Sequence, residues 1–291
     1  MTGFSSQWLT LREPADHRAR NQTLLKEVQQ YFERTQPGLG QSQHTPMHMT
    51  DLGCGTGSNL RALAQDFPAY QHWTLIDYDP LLLDAARALL TSWSDSVVEN
   101  RSGDLPDSEL RILKNGKQIS VSFVQEDLSK NIERVLAQHT DLLTAAAFFD
   151  LVSPDWIVRF CQSLKSPLYT VLTYDGTEKW LPPHAADQLV LAAFHAHQST
   201  DKGFGLSAGP GAIQIIQSQL TTRSFNVQLE KSPWILDIAD KALMQALATG
   251  SANAVAETNR VPTIDLNAWL AARKQAEHCE IGHWDLFARP A

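Results

Sequence analysis

An acidic residue followed by three alternating glycines is the segment of this chain best suited to chemistry. Asp51 precedes Gly53, Gly55 and Gly57, with a short apolar and β-branched run over residues 47–50 before it and apolar residues at helical spacing after it. This context predicts a buried strand, a glycine turn and a helix. Glycine permits positive φ and leaves room for a ligand against the backbone, and the N-terminus of the helix faces the turn. The segment therefore predicts a ligand-binding turn.

Two other kinds of glycine turn are excluded by the residues around this one. A P-loop requires a lysine after its last glycine, and none follows Gly57. A dinucleotide fingerprint reads Gly-x-Gly-x-x-Gly, whereas the glycines here alternate strictly. Asp51 at the strand end would repel a pyrophosphate but suits a ligand that carries an ammonium and a sulfonium group. The remaining alternative is an ordinary strand-to-helix turn without a ligand.

The turn resembles motif I of the class I S-adenosylmethionine-dependent methyltransferases, and the resemblance continues downstream. It implies S-adenosyl-L-methionine as the cofactor. Asp77, 20 residues after Gly57, matches the acid that ends the family's second strand and would accept both ribose hydroxyls, with Tyr78 beside the adenine. Asp127 matches the acid that accepts from the adenine amino group, and helix capping is its alternative role. The cofactor-binding residues implied are Asp51, Gly53, Gly55, Thr56, Asn59, Asp77, Tyr78, Asp127, Leu128 and Ala145.

Strand signals along the rest of the chain agree with this resemblance. Residues 121–128, 141–150 and 167–176 fit the third, fourth and fifth strands, and Gly176 is expected to end the fifth. The predicted fold class is α/β, with a Rossmann-like, seven-stranded, mostly parallel sheet. We expect its last strand to be antiparallel, helices to cover both faces, and helical insertions to form a cap.

Turn signals and leftover segments predict the domain organisation. Asn115-Gly116 predicts a hairpin that extends the third strand backwards. Residues 224–231 and 279–286 are predicted as strands six and seven, paired antiparallel. The predicted organisation is an N-terminal helical extension over residues 1–46 and a methyltransferase domain over residues 47–291, with insertions at 176–208 and 233–278.

The composition is typical of a globular domain without special constraints. The 291-residue chain has a net charge of −8, and nucleic acid is an unlikely partner because phosphate binding depends on clustered Lys and Arg. Cys54, Cys161 and Cys279 are few and widely spaced, which predicts reduced thiols.

His195 and His197 point to different faces of a helix, so no metal site is predicted. Without a membrane-length apolar run or a secretory signal, we expect a cytoplasmic protein with no membrane partner. The sequence leaves the oligomeric state open, and a homodimer is compatible with it.

A local basic patch precedes the first strand of this acidic protein. It suits a carboxylate of the cofactor or an anionic substrate. The alternative is a solvated helix face whose cations pair with Glu13 and Asp16. The patch consists of Arg12, His17, Arg18 and Arg20.

The segments expected near the methyl acceptor carry no signature of a specialised subclass. The Asn-Pro-Pro-Tyr and Pro-Cys motifs of the nucleic-acid and glutamine methyltransferases are absent, and residues 145–147 are all alanine in that loop. Aromatic residues follow instead, which suits a small or planar organic acceptor in a mostly apolar pocket. We therefore predict O-, N- or C-methylation of a small organic molecule. The alternatives are a protein or RNA methyltransferase and a cofactor-binding module without catalysis.

Three side chains are candidates for the catalytic role of general base. Asp150 follows two phenylalanines whose bulk would desolvate it and raise its pKa, and capping of a helix near residues 152–154 is its alternative role. Tyr174 ends the fifth strand. His195 lies on a helix predicted in the first insertion, ahead of a flexible loop over residues 202–205 that would close over a small molecule.

Overall fold

The structure, a computed structural model, describes residues 4–98, 109–201 and 203–291. Lys202, in the loop predicted to close over the acceptor, therefore lies outside the described residues. The strands of the described ranges are β1 (Met47–Leu52), β2 (Tyr70–Asp77), β3 (Ser96–Val97), β4 (Glu109–Lys114), β5 (Lys117–Gln125), β6 (Leu142–Ala146), β7 (Leu168–Leu181), β8 (Phe225–Lys231), β9 (Trp234–Leu236) and β10 (His278–Pro290). The α-helices are α1 (Ser6–Ala19), α2 (Gln22–Thr35), α3 (Ser58–Leu63), α4 (Pro80–Trp93), α5 (Leu128–Leu136), α6 (Pro154–Ser163), α7 (Asp187–Gln198), α8 (Ala212–Thr222), α9 (Lys241–Thr258) and α10 (Thr263–Arg273).

The described strands form one sheet whose winding direction reverses between β1 and β6. The strand order is β3-β4-β5-β2-β1-β6-β7-β10-β8, and β9 pairs with β10 off this path. The five central strands from β5 to β7 are parallel, whereas β10 runs antiparallel to both β7 and β8. Ligands of open α/β sheets bind beyond the carboxyl ends of the strands at such a reversal. The predicted fold class is confirmed, and β3, β4 and β9 are additions to its seven strands.

Helices cover both faces of the sheet because each buries one apolar stripe. On one face, α2 and α4 bury Leu25, Val28 and Ala86, among others. On the other face, α5, α6 and α8 bury residues that include Ile132 and Ile216. No helix of the described ranges combines the length and the apolar composition needed to cross a bilayer.

The hairpin predicted at one sheet edge is present. Lys114 of β4 pairs with Lys117 of β5, and the two residues between them have positive φ, 47° at Asn115 and 78° at Gly116. This is the backbone that a two-residue hairpin turn requires.

Strand β7 does not end at Gly176, so that prediction is wrong. The strand continues to Leu181 and pairs with the first residues of β10. Gly176 has φ 86°, and the register with β10 shifts between Ile281 and His283. A glycine inside a paired strand marks a bulge rather than a stop, because the long partner strand keeps the backbone extended. The first insertion therefore leaves the sheet after Leu181.

The N-terminal segment folds as two helices that meet at Asn21. The side chain of Asn21 caps α2 by accepting from the backbone N–H groups of Thr23 and Leu24. Its own N–H donates to Asp285 of β10 at 2.8 Å, which fixes the bend onto the sheet. The bend lets α2 pack on the sheet while α1 crosses the carboxyl ends of the strands.

The two insertions pack on each other and form a cap. Helix α7 of the first insertion and helices α9 and α10 of the second enclose a small apolar core of their own, which includes Val190, Val255 and Trp269. The indole N–H of Trp269 donates to Asp187 at 2.8 Å and ties α10 to the start of α7. Residues far apart in sequence thus form one unit above the sheet.

Candidate active site

A cavity of about 870 Å³ lies at the carboxyl ends of β1, β2, β5 and β6. Its floor is the glycine turn after β1 and the loops after the other three strands. Its roof comes from α1, from the end of α7 with the segment after it, and from α9. Nine of the ten predicted cofactor-binding residues line it, namely Asp51, Gly53, Gly55, Thr56, Asn59, Asp77, Tyr78, Asp127 and Leu128.

Two glycines of the turn keep the floor of the cavity open. Gly53 and Gly55 have φ of +62° and +52°, in the left-handed region. A Cβ on Gly53 would lie 2.6 Å from a ring carbon of Phe148, and one on Gly55 would lie 2.9 Å from Cδ1 of Leu9. Both the backbone conformation and the space therefore require glycine at these positions.

Asp51 lines the cavity and keeps one buried carboxylate oxygen without a described partner. Its Oδ1 accepts from Nδ2 of Asn59 at 2.7 Å and from the hydroxyl of Thr144 at 2.8 Å, while Oδ2 has no partner among the described residues. Burial raises the pKa of Asp51 to about 6, against the two hydrogen bonds that lower it. Thr56 Oγ1 and Asn59 Oδ1 are also buried without a described partner. An ammonium group of a ligand would donate the hydrogen bonds that these oxygens lack.

Arg20 is a buried cation beside this acid. Its side chain lines the cavity and the residue is only 4% exposed, yet Nε and Nη1 have no hydrogen-bond partner among the described residues. The guanidinium lowers the pKa of Asp51, although less than burial raises it. Buried guanidinium N–H groups without acceptors are costly unless a ligand supplies the acceptors. Arg20 and Asp51 together suit the two charges of an amino-acid group.

Asp77 ends β2 at the edge of the cavity and organises the backbone there. Its Oδ2 accepts from the N–H of Gly55 at 2.8 Å, and its Oδ1 accepts from the N–H of Asp79 at 3.0 Å. Burial raises the pKa of Asp77, while these backbone hydrogen bonds lower it. Each oxygen keeps acceptor capacity for a ribose hydroxyl.

Asp77→Ala is expected to weaken S-adenosylhomocysteine binding by about 1–3 kcal/mol, because the ribose hydroxyls lose their acceptors. Calorimetric titration measures this. Loss of the two backbone hydrogen bonds should also lower the unfolding free energy of the unliganded protein by about 1 kcal/mol. Asp84→Ala, an exposed acid on α4, is the control and should bind normally. Unchanged affinity in Asp77→Ala would remove Asp77 from the ribose site.

Asp127 lines the cavity and also caps a helix. Its Oδ1 accepts from the N–H and the hydroxyl of Ser129, and its Oδ2 pairs with Lys130 at 2.8 Å. The hydrogen bonds from Lys130 and Ser129 lower the pKa of Asp127. The capping alternative is therefore present in the structure, and the contact with the adenine amino group stays a prediction.

Ala145 does not line the cavity, unlike the other residues of its predicted set. It is fully buried in β6 and belongs to the apolar core under α6. The cavity is lined by the next two residues, Ala146 and Ala147, where the strand ends and Ala147 takes φ 50°. Because the side chains of a strand alternate between faces, an assignment shifted by one position reaches the core instead.

The family comparison covers this same part of the chain. Residues 49–169 match a family model described as a methyltransferase domain. The match identifies a methyltransferase domain in this part of the chain, consistent with the predicted class I S-adenosylmethionine-dependent family. Its cofactor is S-adenosyl-L-methionine. No curated protein matches the sequence.

Solved structures that align with this methyltransferase differ widely from it in sequence. The E. coli protein YjhP is 15% identical, with 98% of each chain covered and a TM-score of 0.43. A cyclopropane-fatty-acyl-phospholipid synthase-like protein from Lactobacillus casei is also 15% identical, with 97% of this chain and 94% of that chain covered and a TM-score of 0.43. Phosphoethanolamine N-methyltransferase 2 from Haemonchus contortus, in complex with S-adenosylhomocysteine, is 10% identical, with 97% and 57% covered and a TM-score of 0.42.

The donor set of the cavity fits the cofactor. Asp51 would hold the ammonium group and Arg20 the carboxylate of the methionine part. Gly53 and Gly55 provide a floor without side chains, and Asp77 would provide the acceptors for the ribose. The ligand would thus supply partners for the buried polar atoms of Asp51 and Arg20 that have none among the described residues.

Tyr174 and His195, two of the three predicted general bases, are hydrogen-bonded to each other. The hydroxyl of Tyr174 lies 3.1 Å from Nε2 of His195 and donates to Glu178 at 3.2 Å. His195 also bonds to the backbone of Gly176, and burial lowers its pKa. Burial, followed by the charge of Glu178, raises the pKa of Tyr174. Neither side chain lines the cavity, so the network ties α7 to β7 instead of facing the acceptor.

Asp150 is buried behind the cavity wall and is not the helix cap. Ser153 caps α6 by accepting from the N–H of Trp156. One oxygen of Asp150 lies 3.5 Å from Nε2 of Gln198, and the other has no described partner. Asp150 itself does not line the cavity, whereas its neighbours Phe148 and Leu151 do. Burial raises the pKa of Asp150 to about 6, as the sequence predicted. Its proposed role as a base stays a prediction that requires movement of the wall.

The pKa of Asp150 predicts a pH dependence of stability. Because the folded protein binds this proton more tightly than the unfolded chain, the stabilisation is complete below pH 4 and is lost as the pH rises through about 6. A rise from 3.8 to about 6 corresponds to about 3 kcal/mol. As the pH rises from 4 to 8, the unfolding free energy of Asp150→Asn should gain about 2–3 kcal/mol relative to the wild type, measured by urea titration. Parallel pH profiles of the two proteins would contradict this.

The basic patch divides into separate roles. Arg12 lines the cavity but forms two hydrogen bonds, of 2.9 and 3.0 Å, with Asp16. Arg18 points away and pairs with Asp240 of the second insertion at 2.7 Å. His17 contacts Ser58 at the start of α3. Only Arg20 has the unpartnered N–H groups of an anion site among these four residues.

Sequence reasoning missed two cavity residues from the cap. His197 and Glu257 line the cavity and lie 3.0 Å apart between Nε2 and Oε2. The sequence placed His197 on the same helix as His195 but gave no reason to prefer it, and Glu257 is 60 residues away. A helical wheel alone does not reveal which face of α7 meets α9.

Proposed function

We propose that this enzyme methylates a small organic molecule at an oxygen, nitrogen or carbon atom. The observation that carries the proposal is the roof over the acceptor end of the cavity. Arg12 and Asp16 of α1, Phe204 of the first insertion and Glu257 of the second insertion all line it. Three separate segments therefore meet above the space beside the cofactor. A small acceptor can be enclosed by such a roof, whereas a polypeptide or polynucleotide would need an open path through it.

The chemistry requires alignment more than activation. When bound, the cofactor supplies a methyl group already activated by the positive charge on sulfur. Asp51 and Arg20 fix the amino-acid end of the cofactor, which sets the direction of the methyl group. Phe148 and Phe204 contact each other with ring centroids 5.8 Å apart and form an apolar wall that excludes water. The residues thus hold donor and acceptor in line.

A screen for S-adenosylhomocysteine formation tests the proposal. The purified full chain is incubated with S-adenosylmethionine and a panel of small alcohols, phenols, carboxylic acids and amines, and parallel wells contain mixed peptides and total RNA. We expect product with members of the small-molecule panel and none with peptides or RNA. Turnover only with peptides or RNA would overturn the substrate class. Tight cofactor binding without turnover of any acceptor would favour a binding module.

A further inference from the structure

Helix α1 covers the cavity but contributes little to the apolar core. Only Ala15 and Asp16 of this helix are buried, whereas its large apolar side chains Trp8 and Leu11 are partly exposed. By contrast, α2 buries four apolar side chains. Pro14 also interrupts α1 and removes one of its hydrogen bonds. Because helices in proteins are stabilised chiefly by packing of an apolar face, α1 should leave the sheet at a lower free energy than α2.

Ion pairs and hydrogen bonds hold α1 in place over the cavity. Glu13 accepts from Nε and Nη2 of Arg61 in α3 at 2.8 and 2.5 Å. Arg61 also donates to the carbonyl oxygen of Thr56 at 2.8 Å. It therefore joins α1 to the glycine turn that forms the cavity floor. Further contacts between α1 and other segments are made by His17 with Ser58, Asp16 with Trp234 and Arg18 with Asp240.

The pair of Glu13 and Arg61 is shielded from water. Their side chains are 18% and 6% exposed, whereas Arg18, in the other ion pair that joins α1 to a distant segment of the described ranges, is 52% exposed. Exposed ion pairs contribute little to stability, and shielded pairs are screened less by water and salt. The contact between Glu13 and Arg61 is therefore the stronger of the two restraints on α1.

The junction between α1 and α2 provides a hinge. Arg20 and Asn21 leave the helical conformation, with ψ of 133° and 111°. Asn21 is fixed, because its side chain caps α2 and its N–H donates to Asp285 of β10. Helix α1 can therefore rotate about the backbone of Arg20 while α2 stays on the sheet.

Cofactor binding favours the covered position of α1. Leu9, Arg12 and Asp16 of α1 line the cavity, and so does Arg20 at the hinge. Without a ligand, Nε and Nη1 of Arg20 are buried without a described partner, which costs free energy. The cofactor carboxylate would accept from these groups only while α1 covers the cavity. A ligand shifts a conformational equilibrium by such differential contacts, so the cofactor should stabilise the covered state.

We propose that α1 is a lid that opens about Arg20 to exchange S-adenosylmethionine for S-adenosylhomocysteine, and that the ion pair of Glu13 and Arg61 is its latch. The product of methyl transfer lies under α1 after each reaction, so the latch controls how fast the product leaves. Glu13 and Arg61 act as positioning residues through the lid. This inference goes beyond the proposed function and holds for any methyl acceptor.

Hydrogen–deuterium exchange of the full chain tests the lid without an acceptor. In the unliganded protein, we expect the amides of α1 to exchange at least about 10-fold faster than those of α2. Saturating S-adenosylhomocysteine should slow exchange in α1 at least about 10-fold. Saturating methylthioadenosine should slow it less, because this ligand offers no carboxylate to Arg20. Equal exchange of the two helices without ligand, or no slowing of α1 by S-adenosylhomocysteine, would overturn the proposal.

Glu13→Gln tests the latch, since glutamine keeps the size of the side chain but removes its charge. We expect bound tritiated S-adenosylmethionine, chased with excess S-adenosylhomocysteine, to dissociate about 10-fold faster than from the wild type. Exchange in unliganded α1 should also be faster, with exchange in the sheet strands unchanged. Glu133→Gln is the matched control, because Glu133 pairs with Arg159 at 2.9 Å on the surface and neither residue lines the cavity.

Two results with Glu13→Gln would contradict the latch. One is dissociation of the cofactor at the wild-type rate. The other is faster dissociation with unchanged exchange in α1, which would show that the ion pair acts on the glycine turn through Thr56 rather than on the lid.

Discussion

Gly55→Val is expected to abolish S-adenosylhomocysteine binding while the chain stays folded. Gly55 has φ +52°, and a Cβ there would lie 2.9 Å from Leu9 of α1. A β-branched side chain both disfavours this backbone conformation and fills the space reserved for the cofactor. We expect an affinity loss of at least about 1000-fold, equivalent to about 4 kcal/mol, measured by calorimetric titration.

Gly116→Val separates the loss of the site from the cost of the backbone conformation. Gly116 has φ +78° in the edge hairpin, and nothing lies within 4 Å of a Cβ placed there. Both variants should lose about 1–3 kcal/mol of unfolding free energy, but Gly116→Val should bind the ligand normally. Normal binding by Gly55→Val would show that the turn is only structural.

Arg20→Met is expected to weaken S-adenosylhomocysteine several hundred-fold, by about 3–4 kcal/mol. Arg20 is buried, and two of its N–H groups have no described partner. The carboxylate of the ligand would accept from them. Methionine keeps most of the side-chain volume but removes the charge. The unliganded variant should be at least as stable as the wild type, because it no longer buries an unpaired cation.

A truncated ligand identifies the group that Arg20 binds. Methylthioadenosine lacks the amino-acid part of the cofactor, so wild type and Arg20→Met should bind it within about threefold of each other. Arg18→Met is the matched control two residues earlier in the chain, since Arg18 points outward to Asp240 with a side chain that is 52% exposed. Equal losses for the truncated and the complete ligand would assign Arg20 a structural role.

The local part of this site could be predicted from the sequence. The residues from Asp51 to Asn59 are contiguous, so the glycine turn brings them to one place whatever surrounds them. The position of Asp77 could also be predicted, because β2, the strand after α3, must lie beside β1 in a parallel sheet. The order of strands therefore places these side chains together before any tertiary contact is known.

The acceptor side could not be predicted because it depends on packing between distant segments. His195 and His197 are two residues apart, and only the contact of α7 with α9 places His197 at the cavity and leaves His195 with Tyr174. The position of Arg20 at the cavity likewise depends on the bend at Asn21, which turns α1 over the strands. The prediction that β7 ends at Gly176 was wrong because pairing with β10 extends the strand to Leu181.

Calorimetric titration of the wild-type chain with S-adenosylhomocysteine tests the central claim most directly. We predict saturable binding of one ligand per chain, stronger than that of methylthioadenosine, because Asp51 and Arg20 together hold the amino-acid end that the truncated ligand lacks. Absence of binding, or equal affinity for the complete and the truncated ligand, would contradict it.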